Sequence, residues 1–128
     1  MNAATSDPGP TWRKPNAVGR LDHPRTGTTY QGRFATSFWD RVRGLIGRPP
    51  EVLVIPSRGQ VHTFGMRYPI DVVFCDSSWK VVKVIRGLPR RRVTRFVRGT
   101  RFVIEALAGL LSDVIEGDTF DYVSSTDR

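Results

Sequence analysis

The sequence has little of what several common chemistries require. Cys75 is the only cysteine, which excludes an intramolecular disulfide and a thiolate metal cluster within one chain. No apolar run approaches the roughly 20 residues that a membrane-spanning helix needs. The opening segment also lacks the basic start and apolar centre of a secretory signal. We therefore expect a cytoplasmic protein without a membrane span.

Motifs for nucleotide binding and for serine hydrolysis are missing as well. The chain contains no phosphate-binding loop, no dinucleotide-binding glycine fingerprint and no Gly-x-Ser-x-Gly turn. His23 and His62 are the only histidines, so a zinc site built mainly from imidazoles cannot form in one chain. We predict no cofactor and no metal ion. A mixed site of His62, Asp71 and Glu105 would need folding to bring the three together.

What is present indicates one small globular domain. The 128 residues are 39% hydrophobic and 25% charged, which is the composition of a folded protein. Residues 1–27 hold four of the nine prolines without sustained periodicity, and we predict a flexible leader there, with His23 in solvent. Residues 28–123 are expected to form the domain, and residues 124–128 a flexible tail.

The hydrophobic pattern predicts a mostly β protein with one helix. Ser37 can cap an amphipathic helix over residues 37–46, because apolar side chains recur on one face until Gly47 ends it. Five or six short strands are predicted around the later turns, which favours a compact β-sandwich or a barrel-like fold. The predicted strands cover residues 28–34, 52–55, 71–75, 79–85, 101–106 and 119–123.

The net charge of +8 comes from one segment. Residues 77–104 contain nine Lys or Arg residues and no Asp or Glu. The rest of the chain contains the other 11 basic residues and all 12 acidic ones, so its net charge is close to zero. Guanidinium groups bind phosphates through paired hydrogen bonds, so this segment could contact a nucleic acid or another acidic partner. A solvated surface is the alternative. The candidate polyanion-binding residues are Arg90, Arg91, Arg92, Arg95 and Arg98.

The stretch VHTFGMRYPID, residues 61–71, is the other candidate site. Pro69 predicts a bend before the next strand, and polar residues on such bends often form sites. Here Arg67 could bind an anion while His62 transfers a proton and Asp71 or Glu105 orients its ring. The same groups could instead pair internally and fix the strand register. Cys75 is expected to be a small buried side chain.

Four ordered motifs resemble those of the domain-of-unknown-function 192 family, also called uncharacterised protein family 0127. They are RVRGLIGR, VHTFGMRYPIDVVFCD, RFVIEALAG and EGD, within about residues 28–123. The resemblance implies a small β-rich domain and no known reaction. Several relatives look exported or membrane-attached. The family's polar positions correspond to His62, Thr63, Met66, Arg67, Asp71, Glu105, Gly117 and Asp118.

Three functions follow from these features. The first is a binding or accessory domain that recognises a small anionic ligand or a partner protein around His62 and Arg67, with Thr63 and Met66 beside them. The second is a hydrolase that uses His62 with Asp71 or Glu105, so whether the protein is an enzyme stays open. The third is binding of nucleic acid or an acidic partner through Arg90 to Arg101.

Overall fold

The computed structural model describes residues 18–34 and 51–124, and these residues form a single sheet of seven strands. Within these two ranges the chain forms strands and turns but no helix. The strands are β1 (Val18–His23), β2 (Thr28–Phe34), β3 (Glu51–Pro56), β4 (Ile70–Cys75), β5 (Val81–Leu88), β6 (Phe102–Leu107) and β7 (Asp121–Ser124).

The sheet curls into a half-barrel. Its strand order is β5-β4-β6-β3-β2-β1-β7, and every neighbouring pair is antiparallel except β2 and β3. Two backbone hydrogen bonds join the start of β5 to the segment before β7: Val81 N–H to the Asp118 carbonyl (2.8 Å) and Phe120 N–H to the Trp79 carbonyl (3.1 Å). The two edges of the sheet therefore meet at one end.

Each face of the sheet carries its own hydrophobic cluster. The inner cluster combines side chains from strands at both ends of the sheet, such as Leu21 of β1 and Val81 of β5, so it fills the concave face. The outer cluster contains Leu53, Val72 and Val103, and it is covered by Val61 and Met66 from the connection between β3 and β4. The bend that holds the predicted site is thus packed on the outer face.

The interior strand β4 shows why the sequence forms strands here. All six residues of Ile70–Cys75 are buried, because β4 lies between β5 and β6 and both of its faces are covered. Strands covered on both faces show a continuous apolar run instead of alternation. Cys75 is completely buried, as expected, and this burial raises the pKa of its thiol.

The structure confirms a β-rich domain and differs from the predictions in one region. All six predicted strand regions are strands, but β1 lies at residues 18–23, within the range assigned to the flexible leader. It is held by β2 on one side and β7 on the other, two partners that sequence periodicity could not identify. The helix predicted for residues 37–46, the rest of the leader and residues 125–128 lie outside the described residues.

Candidate functional site: a basic ribbon on the outer face

The predicted bend and the arginine-rich segment are hydrogen-bonded to each other. Thr63 N–H donates to the Arg92 carbonyl (2.8 Å), Thr94 N–H to the Val61 carbonyl (2.8 Å), and Val97 N–H to the Gly59 carbonyl (2.9 Å). We call this pair of segments, residues 59–64 and 91–97, the basic ribbon. A side chain at position 59 would collide with the Val97 backbone carbonyl, so the close approach there requires glycine.

Side-chain alternation gives the ribbon two different faces. His62 and Val93 are paired across the ribbon, and directly opposed residues of an antiparallel pair project to the same side. Their neighbours Val61, Thr63 and Thr94 are buried and point toward the outer cluster. The opposite face points away from the core and carries the side chains that alternate with these buried ones. It presents His62, Val93 and Arg95, and the exposed residues Phe64 and Arg91 lie in the turn and the bend at one end of the ribbon.

This outward face combines positive charge with exposed apolar groups. Phe64 is 48% exposed and Val93 is 55% exposed, while Arg91 and Arg95 are exposed beside them. The His62 and Phe64 rings are tilted against each other with centroids 5.8 Å apart. Among the described residues no ribbon arginine forms an ion pair with a carboxylate.

Thr63 and Met66, two of the predicted ligand-binding residues, have structural contacts. The buried Thr63 hydroxyl donates to the Pro89 carbonyl (2.7 Å) and accepts from Arg92 N–H (2.8 Å). Met66 is buried in the outer cluster, and its N–H donates to the Thr63 carbonyl (3.2 Å). Arg67, the third predicted residue, is exposed just beyond this turn. Thr63 therefore anchors the ribbon, and Arg67 is accessible to a ligand.

Asp71 is held by backbone groups. Its carboxylate accepts hydrogen bonds from the N–H groups of Gly87 (2.9 Å), Gly109 (2.8 Å) and Leu111 (3.1 Å), and the residue is only 1% exposed. These bonds tie β4 to β5 and to the turns after β6. A carboxylate with three such donors is well suited to fixing the loops around it.

Glu105 lies on the other face of the sheet from Asp71. In the strand register Glu105 is opposite Leu53 and Val72, which belong to the outer cluster, whereas Asp71 is opposite Ala106 of the inner cluster. Glu105 is completely buried under the side on which the ribbon packs. Of the two carboxylates proposed to orient His62, only Glu105 therefore lies on the same side of the sheet as His62.

A second polar cluster, outside both predicted sites, surrounds Asp118. His23 is completely buried, and its Nε2 lies 2.7 Å from the Asp118 carboxylate, while Nδ1 lies 2.7 Å from the Thr26 hydroxyl. Arg25 donates to both Asp118 oxygens, at 2.8 and 3.1 Å, and Ile115 N–H donates at 3.0 Å. The Arg25 guanidinium holds the pKa of Asp118 well below its usual range.

His23 is thus buried in the Asp118 cluster, where a solvated side chain was expected. Its imidazole stacks on Phe120 with centroids 5.0 Å apart. The antiparallel pairing of β1 with β7 brings the end of β1 to this position. The EGD motif, which includes Asp118, was the signal that could have pointed here. Its partners come from the segment that was expected to be a leader.

The described part of the chain contains neither a group of metal-binding side chains nor a membrane-spanning helix. Within residues 18–34 and 51–124, no three His, Cys, Asp or Glu side chains are grouped so that they could hold a metal ion. In the same residues no helix is long and apolar enough to cross a membrane.

The family is shown by sequence comparison. Residues 21–122 match the DUF192 family, described as uncharacterised ACR, and the chain belongs to this family. It is 32% identical over 114 residues to the UPF0127 protein of Thermococcus sibiricus, covering 80% of this chain and 73% of that protein. It is 35% identical over 97 residues to a UPF0127 protein of Pyrococcus furiosus, covering 66% of this chain and 84% of the relative.

Solved structures share the fold. A Sinorhizobium meliloti protein, provisionally named a transcription regulator, superposes with a TM-score of 0.67 and 17% identity, covering 86% of this chain and 97% of that chain. A protein of unknown function from Novosphingobium aromaticivorans gives a TM-score of 0.63 with 15% identity, covering 81% and 83%. At these identities the likeness shows the fold alone.

Proposed function

We propose that this domain is a binding module that recognises a multiply charged anion on the outward face of the basic ribbon. The observation that carries the proposal is the hydrogen-bonded pairing of residues 59–64 with residues 91–97. It unites the two sites that the sequence suggested separately, the His62–Arg67 bend and the Arg90–Arg98 segment. A cytoplasmic location is part of the proposal.

The distribution of charge supports this function over a purely solvated surface. A guanidinium without a carboxylate partner can offer its paired N–H donors to phosphate, sulfate or carboxylate groups. The ribbon backbone is fixed by the Thr63 hydroxyl and by Thr94, whose hydroxyl accepts from Val61 N–H at 3.0 Å. Arginines on a fixed backbone lose less conformational entropy on binding than arginines on a mobile loop.

Retention on heparin tests the proposal directly. The wild-type protein is expected to bind and to elute with salt, because each displaced counterion contributes to the affinity. The double variant Arg91→Ala/Arg95→Ala should elute at clearly lower salt. A matched control, Lys80→Ala/Lys83→Ala, removes the same charge from exposed positions outside the ribbon and should elute close to wild type.

Two outcomes would overturn the proposal. One is a wild-type protein that is not retained near physiological salt. The other is equal weakening by both double variants, which would mean that net charge alone controls retention. All four positions are exposed, so the melting temperatures of both variants should stay near that of the wild type.

A further inference from the structure

We infer that the anion recognised by the basic ribbon is the backbone of a single-stranded nucleic acid, of which a base stacks on the exposed ring of Phe64. This inference rests on the proposed function and assigns a ligand class to the same face. The observations that carry it are the apolar groups between the arginines, which a simple polyanion would not use.

The outward face has the two components of a single-strand platform. Such surfaces combine positive groups that follow the phosphates with aromatic rings on which successive bases stack. Phe64 belongs to one segment of the ribbon, Arg91 and Arg95 belong to the other, and all three residues are exposed. Arg95 comes four positions after Arg91, a span of at most roughly 13 Å in extended chain, so the two side chains can reach different phosphates of one strand.

The exposed ring of Phe64 favours a single strand over a duplex. In a duplex the flat faces of the bases are hidden by stacking, and a phenylalanine can reach them only after bases are separated. Phe64 is 48% exposed next to His62 and opposite the arginine-bearing segment, so its ring is accessible to an unstacked base. Val93, 55% exposed, extends the apolar surface beside Arg91 and Arg95.

The backbone at Arg91 adds an independent observation. Arg91 has a φ of 60°, in the left-handed region that normally favours glycine. Backbone strain of this kind tends to be found at functional sites. The strained residue is exposed, and its N–H donates only weakly, at 3.4 Å, to the Thr63 carbonyl. A side chain that contacts a ligand would account for an arginine at this position.

The test measures fluorescence anisotropy with four probes: a labelled oligothymidine, an abasic strand with the same number of phosphates, a duplex of the same length, and heparin as competitor. We expect the oligothymidine to bind most tightly. Phe64→Ala should weaken oligothymidine binding roughly tenfold and leave the abasic strand and heparin unaffected, because only bases stack. The control Ile115→Ala, which truncates another exposed apolar side chain, should change none of the four.

The arginines give a different signature from Phe64. Arg91→Ala/Arg95→Ala should weaken binding of every probe, because both guanidinium groups are expected to neutralise phosphates. The slope of log affinity against log salt for the oligothymidine should fall by about 1.4, or about 0.7 for each phosphate that the variant no longer neutralises. A slope that stays constant would show that these side chains do not bind the strand.

The possible failures are distinguishable. If heparin and all strands fail to bind, the proposed function itself is wrong. If heparin binds but oligothymidine binds no better than the abasic strand or the duplex, the module recognises polyanions and the inference is overturned. Phosphatidylglycerol vesicles that displace the oligothymidine and bind more weakly to the Phe64→Ala variant would assign the face to an anionic membrane surface instead.

Discussion

The buried carboxylates and the basic ribbon use charge in opposite ways. Asp71 and Asp118 are almost completely buried, and their oxygens accept hydrogen bonds from backbone N–H groups and from nearby side chains. The ribbon arginines are exposed, and within the described residues they pair with no carboxylate. Charge that is satisfied internally stabilises a fold, whereas outward charge is accessible to a partner. Substitutions in the two regions should therefore separate stability from binding.

The largest expected effect is that of Asp71→Ala. Three backbone N–H groups would lose a charged acceptor in a buried place, and we expect the free energy of unfolding to fall by about 3 to 5 kcal/mol. Urea denaturation followed by tryptophan fluorescence measures this loss. Asp121→Ala, at an exposed position of β7, is the control and should change stability by less than about 0.5 kcal/mol. Near-wild-type stability of Asp71→Ala would contradict a structural role.

Acid should weaken the Asp118 cluster. The pKa of Asp118 is lower in the folded protein than in the unfolded chain, mainly because Arg25 donates to it. Its contribution to stability is therefore complete above the unfolded value of about 3.9 and is lost as the pH falls toward the lower folded value. Urea midpoints measured at about pH 6 and about pH 2.5 should differ less in Asp118→Asn than in the wild type.

The same variant should already be less stable at neutral pH. Replacing the carboxylate weakens the hydrogen bonds from His23, Arg25 and Ile115, and we expect a loss of about 2 to 3 kcal/mol. Glu116→Gln removes a neighbouring exposed carboxylate and serves as the control for general charge effects. An acid dependence that Asp118→Asn leaves unchanged would assign the acid sensitivity to other groups.

Thr63→Val should connect the two regions, because it alters the buried anchor of the ribbon while keeping every arginine. Valine has a similar shape but cannot bond to the Pro89 carbonyl or the Arg92 N–H, and we expect a loss of about 1 to 2 kcal/mol. Retention on heparin should also decrease, since the arginines would lie on a less ordered backbone. Thr119→Val, at an exposed position, is the control. Unchanged retention would mean that charge acts without a fixed geometry.

How much of this could be read from the sequence depends on the distance over which each interaction acts. Strands such as Ile70–Cys75 were predictable because the apolar run and the turn after Cys75 are local signals. β1 was not, because Val18–His23 is polar and proline follows it, and only pairing with β2 and β7 makes it a strand. The burial of His23 depends on Asp118, 95 residues away.

The candidate site shows the same limit. The residue types in the 61–67 bend and the arginine-rich segment were visible separately, and nothing local indicated that they pair. The two carboxylates proposed as partners of His62 could not be assigned to faces until the register placed Asp71 opposite Ala106 and Glu105 opposite Val72. Which residues of a strand share a face can be read from the local sequence. Which of the two faces is covered, and by which residues, depends on the whole fold.

The smallest expected change in stability is a gain, whereas the substitutions described above destabilise the protein. Arg91 and Trp79 are the two non-glycine residues with positive φ in the described chain, at 60° and 63°. Trp79 stacks on Phe102 with centroids 4.5 Å apart, whereas Arg91 is exposed. Arg91→Gly should therefore relieve strain and leave the protein as stable as the wild type or up to about 1 kcal/mol more stable.

Trp79→Gly is the matched comparison, since it relieves the same backbone conformation but removes a packed side chain, and it should lose about 3 kcal/mol. The melting temperatures of both variants show whether each substitution stabilises or destabilises the protein. Anisotropy with oligothymidine measures how much binding affinity each variant loses. Arg91→Gly should be stable and bind weakly, because the strain at this position is retained for contact with a ligand. If Arg91→Gly lowered the melting temperature and bound like wild type, the left-handed arginine would be a structural feature of the turn.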